Sequence, residues 1–187
     1  RAHYDSAVDL LRKSVNLPSG TGNLAGVKLV GDLFSAELAE LGFETRWVGM
    51  PESMRRAGHL VAVHRGSSGP RMLLIGHLDT VWPLGTLEQM PLRRDGDKLH
   101  GPGTLDMKAG IATALTAVDL VSGSGRTLAG DVTLLITSDE ETGSAASRGL
   151  IEELGRSHDR VLVLEPGRED GALKAGRKGV GGFTVTF

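Results

Sequence analysis

Apolar positions along the chain fall into helical and strand-like patterns. Over residues 2–15, Val8, Leu11 and Val15 recur at helical spacing. A longer stripe of Val27, Val30, Phe34, Leu38 and Leu41 predicts a helix capped by Asn23 and ended by Gly42. Pro18-Ser19-Gly20-Thr21-Gly22 between them reads as a loop. Residues 43–48 and 59–63 read as strands, and three continuous apolar runs follow at 72–75, 132–136 and 161–164. Such runs, bounded by turn residues, suit strands buried on both faces. Helical stretches separate them: 105–121, with Ile111, Leu115 and Val118 on one face, and 145–154.

Strands alternating with helices predict an α/β fold, a mostly parallel central sheet flanked by helices with right-handed crossovers. Further on the pattern changes. Residues 172–175 and 180–187 alternate apolar with small or polar residues around Gly176, Gly179, Gly181 and Gly182. This reads as the first strands of a second, antiparallel piece. The expected division is a domain over 1–175, itself incomplete, and a hinge with the start of another domain over 176–187. Arg177 and Lys178 fall at that hinge, and the chain is expected to be part of a longer polypeptide.

Composition removes several functions. With 187 residues, 40% apolar and 24% charged, the chain is about one soluble domain in size. It has no cysteine, which excludes disulfides, thiolate metal sites and a cysteine nucleophile. A net charge of −2 and only 4% aromatic residues argue against nucleic acid as a partner. No apolar run reaches the roughly 18 residues of a membrane helix, so no membrane partner is expected. The start of the chain lacks a signal-peptide pattern, and a cytoplasmic location is expected. The 27 glycines are spread among periodic segments, as tight turns and close backbone approaches require.

The candidate chemistry lies where the apolar runs end. Ligands of open α/β sheets bind beyond the carboxyl ends of the strands. After 72–75 come Gly76-His77-Leu78-Asp79, after 132–136 come Thr137-Ser138-Asp139-Glu140-Glu141, and 161–164 leads into Glu165. Asp106 is expected in the first turn of the long helix. Taken singly, each has a plain explanation: His77 as a cap or surface residue, Asp106 as a partner of the helix dipole, Glu140 and Glu141 as a solvated acidic turn, Glu165 as a loop carboxylate. Together they would repel, since two like charges at 4 Å cost about 4 kcal/mol at an effective dielectric of 20. Protonation or cations must relieve that, and a carboxylate–imidazole set suits zinc. In His77-x-Asp79 the two side chains point the same way in an extended segment, so Asp79 can orient the imidazole from behind. Adjacent Glu140 and Glu141 point differently, so one can hold metal while the other meets a water as general base.

Four segments, Gly76-His77-Leu78-Asp79-Thr80-Val81, Gly101-Pro102-Gly103-Thr104-Leu105-Asp106-Met107-Lys108-Ala109-Gly110, Thr137-Ser138-Asp139-Glu140-Glu141-Thr142-Gly143-Ser144 and Leu164-Glu165-Pro166, give the chain its likeness. In this order they resemble the zinc metallopeptidase family of glutamate carboxypeptidases, aminoacylases, acetylornithine deacetylase and succinyl-diaminopimelate desuccinylase, nearest the carboxypeptidase G type. The resemblance implies a zinc exopeptidase-like catalytic domain with two zinc ions. It implies His77 and Glu165 as ligands of one ion, Glu141 as ligand of the other and Asp106 bridging them. Glu140 is implied as the general base, Asp79 as the carboxylate behind His77, and the Asp106–Met107 peptide bond as cis. It implies hydrolysis of a C-terminal, glutamate-like residue or of an N-acyl amide. The substrate is then a small peptide or N-acyl amino acid, and the complete protein a homodimer.

One departure stands out. The family pattern takes a further histidine from near its C-terminus, whereas the last histidine here is His158. This stretch alone is therefore expected to bind one zinc or none and to be inactive or nearly so. The alternative reading is a noncatalytic α/β binding or scaffold module that keeps the metal residues. His3, His59, His64, His100 and His158 lack any motif and read as surface or structural. No Walker-type glycine-lysine loop is present, which sets nucleotide binding aside.

Overall fold

The stripe after Asn23 forms the central packing helix of the molecule. In the computed structural model, which describes residues 2–176, 179 and 184–186, α1 (Ala2–Val15) precedes α2 (Leu24–Glu40). The Asn23 side-chain oxygen accepts from the Gly26 N–H at 3.2 Å, satisfying one of the orphan donors of the first turn. Val27, Val30, Phe34 and Leu38 are fully buried beneath it. Strands β1 (Glu44–Val48), β2 (His59–His64) and β3 (Met72–His77) follow. After a one-turn helix α3 (Thr86–Gln89) comes a small hairpin, β4 (Arg93–Asp95) and β5 (Lys98–His100). Helix α4 (Ala109–Gly123), strand β6 (Val132–Thr137), helix α5 (Arg148–Ser157) and strand β7 (Arg160–Val163) complete the series.

The five-stranded sheet has the order β1-β2-β6-β3-β7. β3 lies parallel to both β6 and β7, while β2 is antiparallel to β6 and β1 antiparallel to β2. The sheet is thus mixed, and its parallel part consists of the three strands drawn from the continuous apolar runs. One face packs Leu60, Leu74, Leu134 and Ile136 against α2 and α4, through Phe34, Leu38, Ile111 and Leu115. The other face packs Val61, Leu73 and Leu135 against Leu150, Ile151 and Leu154 of α5. Alternation along β6 puts Leu134 and Leu135 on opposite sides, as a strand covered on both faces requires.

Four expectations change. The long helix begins at Ala109, so Asp106 is not in its first turn; residues 104–108 form a separate turn in which Asp106 has φ −114° and ψ 99°, outside the helical region. The run at 161–164 is not buried on both faces: Val161, Leu162 and Val163 are 43%, 51% and 59% exposed. β7 is an end strand with β3 as its one partner among the described residues, and the apolar side of α5 is spent on the neighbouring strands. The helix expected at 145–154 runs from Arg148 to Ser157, because the Asp139 carboxylate accepts from the N–H groups of Ala146 (2.7 Å) and Ser147 (3.1 Å) and holds that segment as a turn. Residues 172–175 are irregular and form no strand. The expected hinge residues Arg177 and Lys178, and most of the strand expected over 180–187, lie outside the described residues.

Candidate metal centre

Because β3, β6 and β7 are parallel, their carboxyl ends share one rim. His77 closes β3 and pairs with Thr137, which closes β6, so Asp139-Glu140-Glu141 follows at the same level. Glu165 comes two residues past the end of β7, after Leu164 has bonded back to the Ile75 carbonyl at 2.8 Å. The Nε2 atom of His77 lies 3.0 Å from Asp106 Oδ1, 3.2 Å from Glu165 Oε1 and 4.0 Å from Glu140 Oε2. Donor atoms of His77, Glu140 and Glu165 lie within 4.8 Å of one another, and so do those of His77, Asp106 and Glu141. All five residues singled out in the sequence for metal or base roles therefore meet.

Asp79 does more than stand behind the imidazole. His77 Nδ1 is 2.9 Å from the Asp79 backbone oxygen and 3.4 Å from its carboxylate. The same carboxylate accepts from Thr21 Oγ1 at 2.8 Å and from the N–H groups of Glu140 and Glu141, each at 3.3 Å. It ties the histidine to the turn that carries both glutamates.

The electrostatics follow from burial and crowding. Burial alone would lower the His77 pKa, but the carboxylates of Asp79 and Glu165 outweigh it and push it up to about 11. Glu140 is pushed up by burial and by Glu165 and Asp106, with His77 pulling the other way. Glu141 is raised by burial first and then by Asp106. The cluster thus draws positive charge. An imidazolium supplies one unit of it; a divalent cation would supply more and leave the imidazole neutral as a ligand. An all-oxygen-and-imidazole donor set with no thiolate fits zinc and similar borderline metals.

Two glycines allow the close approaches that build the rim. A Cβ on Gly76 would lie 3.2 Å from Ile111 Cγ1 and 3.3 Å from Met107 Cε, so glycine lets the Asp106 turn sit against β3. A Cβ on Gly110 would overlap the Leu164 carbonyl oxygen, next to Glu165. The Asp106–Met107 peptide bond is cis. The His77 N–H donates to Met107 Sδ at 3.3 Å.

Three residues support the rim: Lys108 and Asp139, to which the sequence assigned no role, and His59, which it read as surface or structural. Lys108 is buried, and its ammonium donates to the backbone oxygens of Ser14 (2.9 Å) and Leu17 (3.2 Å). Burial lowers its pKa to about 7. Its only signal was a lysine directly before the apolar stretch Ala109-Gly110-Ile111-Ala112. His59 is buried, accepts from the Ser138 N–H at 3.3 Å on Nδ1, and is kept neutral by a pKa that burial lowers. Asp139, also buried, anchors the turn after the glutamates, and an acidic residue beside two others gave no means of telling which faces inward. His3 pairs with Asp119 at 2.7 Å, and His158 bridges Leu154 and Thr133, both structural roles.

The sequence model of the peptidase family M20/M25/M40 matches residues 73–180, more than half the chain. The chain belongs to that family. This M20-family chain is 36% identical over 176 residues to carboxypeptidase G2 of Pseudomonas sp. (strain RS-16), covering 94% of this chain and 42% of that protein. It is 37% identical over 188 residues to a succinyl-diaminopimelate desuccinylase of Gluconacetobacter diazotrophicus, covering 92% and 46%. It spans less than half the length of either relative. Human carnosine dipeptidase 1 shares the fold with a TM-score of 0.75 at 20% identity, over 87% of this chain and 38% of that one. The M20 family metallo-carboxypeptidase Sso-CP2 of Sulfolobus solfataricus does so with a TM-score of 0.72 at 18% identity, over 86% and 37%. Among the described residues, no helix is long and apolar enough to cross a membrane.

Proposed function

We propose that the longer polypeptide to which this domain belongs is a zinc-dependent hydrolase. It removes a C-terminal, glutamate-like residue from a small peptide or cleaves an N-acyl amide, with water as the nucleophile. The observation that carries this reading is the edge of His77, where one buried Nε2 meets Asp106 and Glu165 at 3.0 and 3.2 Å with Glu140 at 4.0 Å. His77 and Glu165 would hold one zinc ion, Glu141 a second, and Asp106 would be shared. Bound zinc supplies Lewis acidity and a water that ionises near neutral pH. Glu140, whose pKa is raised by burial, takes the proton of the attacking water and returns it to the departing amine. Asp79 fixes the imidazole and the Glu140–Glu141 backbone in one set of hydrogen bonds. The carboxypeptidase and desuccinylase relatives support an amide bond as the target. A homodimeric whole protein and a cytoplasmic location belong to the same reading.

The test is Glu140→Gln in the full-length polypeptide. Amide hydrolysis should fall by about 10²–10⁴-fold while zinc content stays unchanged. Full activity in that variant would remove Glu140 as the base.

A further inference from the structure

The turn that presents Glu140 and Glu141 buries neither side chain, so its direction depends on backbone hydrogen bonds. Asp79 accepts the N–H groups of both glutamates. Asp139 closes the turn further on. Its backbone oxygen accepts from the Ser144 N–H at 2.9 Å, and its Oδ2 atom from the N–H groups of Ala146 and Ser147. Beside this closure lies His59. β2 runs antiparallel to β6 with Leu60 opposite Ile136, so its first residue, His59, falls at the rim where β6 ends. His59, Ser138 and Asp139 are 0%, 0% and 1% exposed.

Hydrogen bonding fixes the state of the ring. Nδ1 accepts from the Ser138 N–H at 3.3 Å and so carries no proton; the neutral imidazole then carries its proton on Nε2. That donor is buried and has no hydrogen-bond partner among the described residues. The same holds for Asp139 Oδ1 and Ser138 Oγ. Buried polar groups are as a rule paired, and here three neighbouring residues each leave one atom over. Burial lowers the His59 pKa, while the Asp139 carboxylate and the backbone of Ala146 pull it the other way, so the ring lies within reach of the closure. A buried N–H and a buried carboxylate oxygen, both left over, are complementary.

We propose that His59 is a positioning residue for the glutamate turn. Its Nδ1 holds the Ser138 N–H while its Nε2–H engages the Asp139 carboxylate, directly or through one bridging water. Through this brace β2 sets the direction in which Glu140 and Glu141 are presented. What the two glutamates do is taken from the hydrolase reading above; the brace is not.

The first test needs no activity. Nitrogen NMR of the histidine rings is recorded on the zinc-loaded full-length polypeptide, with the His59 signals assigned by their loss in His59→Leu. The ring should carry its proton on Nε2, and a proton on Nδ1 overturns the proposal. Variants then separate a brace from a space-filling ring. His59→Leu should weaken zinc binding, measured by chelator competition, by about 10–100-fold and lower kcat by a similar factor with KM unchanged. His59→Gln, whose side-chain amide places a donor near the Nε2 position, should recover most of both losses. If His59→Leu binds zinc and turns over as well as His59→Gln, the ring only fills space and the proposal fails. Weakened zinc binding in His59→Leu, in a full-length polypeptide that hydrolyses no amide, would overturn the hydrolase reading alone. Amide hydrolysis and zinc binding indifferent to both substitutions would overturn the brace alone.

Discussion

The two flanks of the parallel pair β6–β3 are built from similar residues and end up differently. On one side β2, His59-Leu60-Val61-Ala62, is sealed: each of these four side chains is buried beneath α2, α5 or the glutamate turn. On the other side β7, Val161-Leu162-Val163, stands open although its side chains are just as apolar. The difference lies in coverage. β2 has a strand on each side and helices over both faces, whereas β7 has, among the described residues, β3 alone. Both flanks nevertheless serve the rim, β2 through the His59 bond to Ser138 and β7 through Glu165. The rim is therefore flanked, among the described residues, by one buried strand and one exposed strand.

Substitutions should expose that inequality. Leu60→Ala removes a fully buried side chain from the sealed flank and should cost about 2–5 kcal/mol by urea denaturation. A loss below about 1 kcal/mol would show that the flank is not tightly packed. Zinc should act across the exposed flank: at a free concentration about 100-fold above its dissociation constant it should add about 2.7 kcal/mol and slow amide exchange over 160–165. Glu165→Ala should abolish both effects, and zinc protection that survives it would place the ion elsewhere.

Acid should test the sealed flank again. The His59 pKa is lowered from its ordinary value of 6.5, so below that value the unfolded chain takes up a proton that the folded chain refuses. Its contribution is intact above pH 6.5 and is eroded as the pH falls towards the folded-state pKa, with a slope of at most about 1.4 kcal/mol per pH unit. His59→Gln should flatten that limb in pH-dependent denaturation; an unchanged limb would assign the acid sensitivity to other groups. Smallest of all, Leu162→Ala on the open strand should stay within about 0.5 kcal/mol. A larger loss would mean that β7 is covered.

How much of this could be read from the chain depends on which kind of information each part needs. The α2 stripe was legible because Val27, Val30, Phe34 and Leu38 bury through a period that is local. The rim was legible because His77, Glu140 and Glu165 each follow an apolar run, and parallel strands deliver such residues to one edge. The exposure of β7 was not, since Val161-Leu162-Val163-Leu164 encodes strand preference and says nothing of what lies over it. The backbone around Asp106 was not either. Its non-helical conformation is set by packing against β3, while its composition reads as helix. The β4–β5 hairpin carries Arg93-Arg94-Asp95 and Lys98-Leu99-His100, with no apolar alternation to reveal it.

Lys108 gives the first helix of the chain a stake in a centre to which it contributes no donor atom. Its side-chain nitrogen reaches from the residue after Met107 to the carbonyls of Ser14 in α1 and Leu17 just beyond it, so anything that unwinds that end strands a buried donor and loosens the neighbouring turn. A proteolytic nick after Lys13 should therefore loosen the candidate centre from a distance, with every candidate ligand still present in the sequence and the Asp106 turn released.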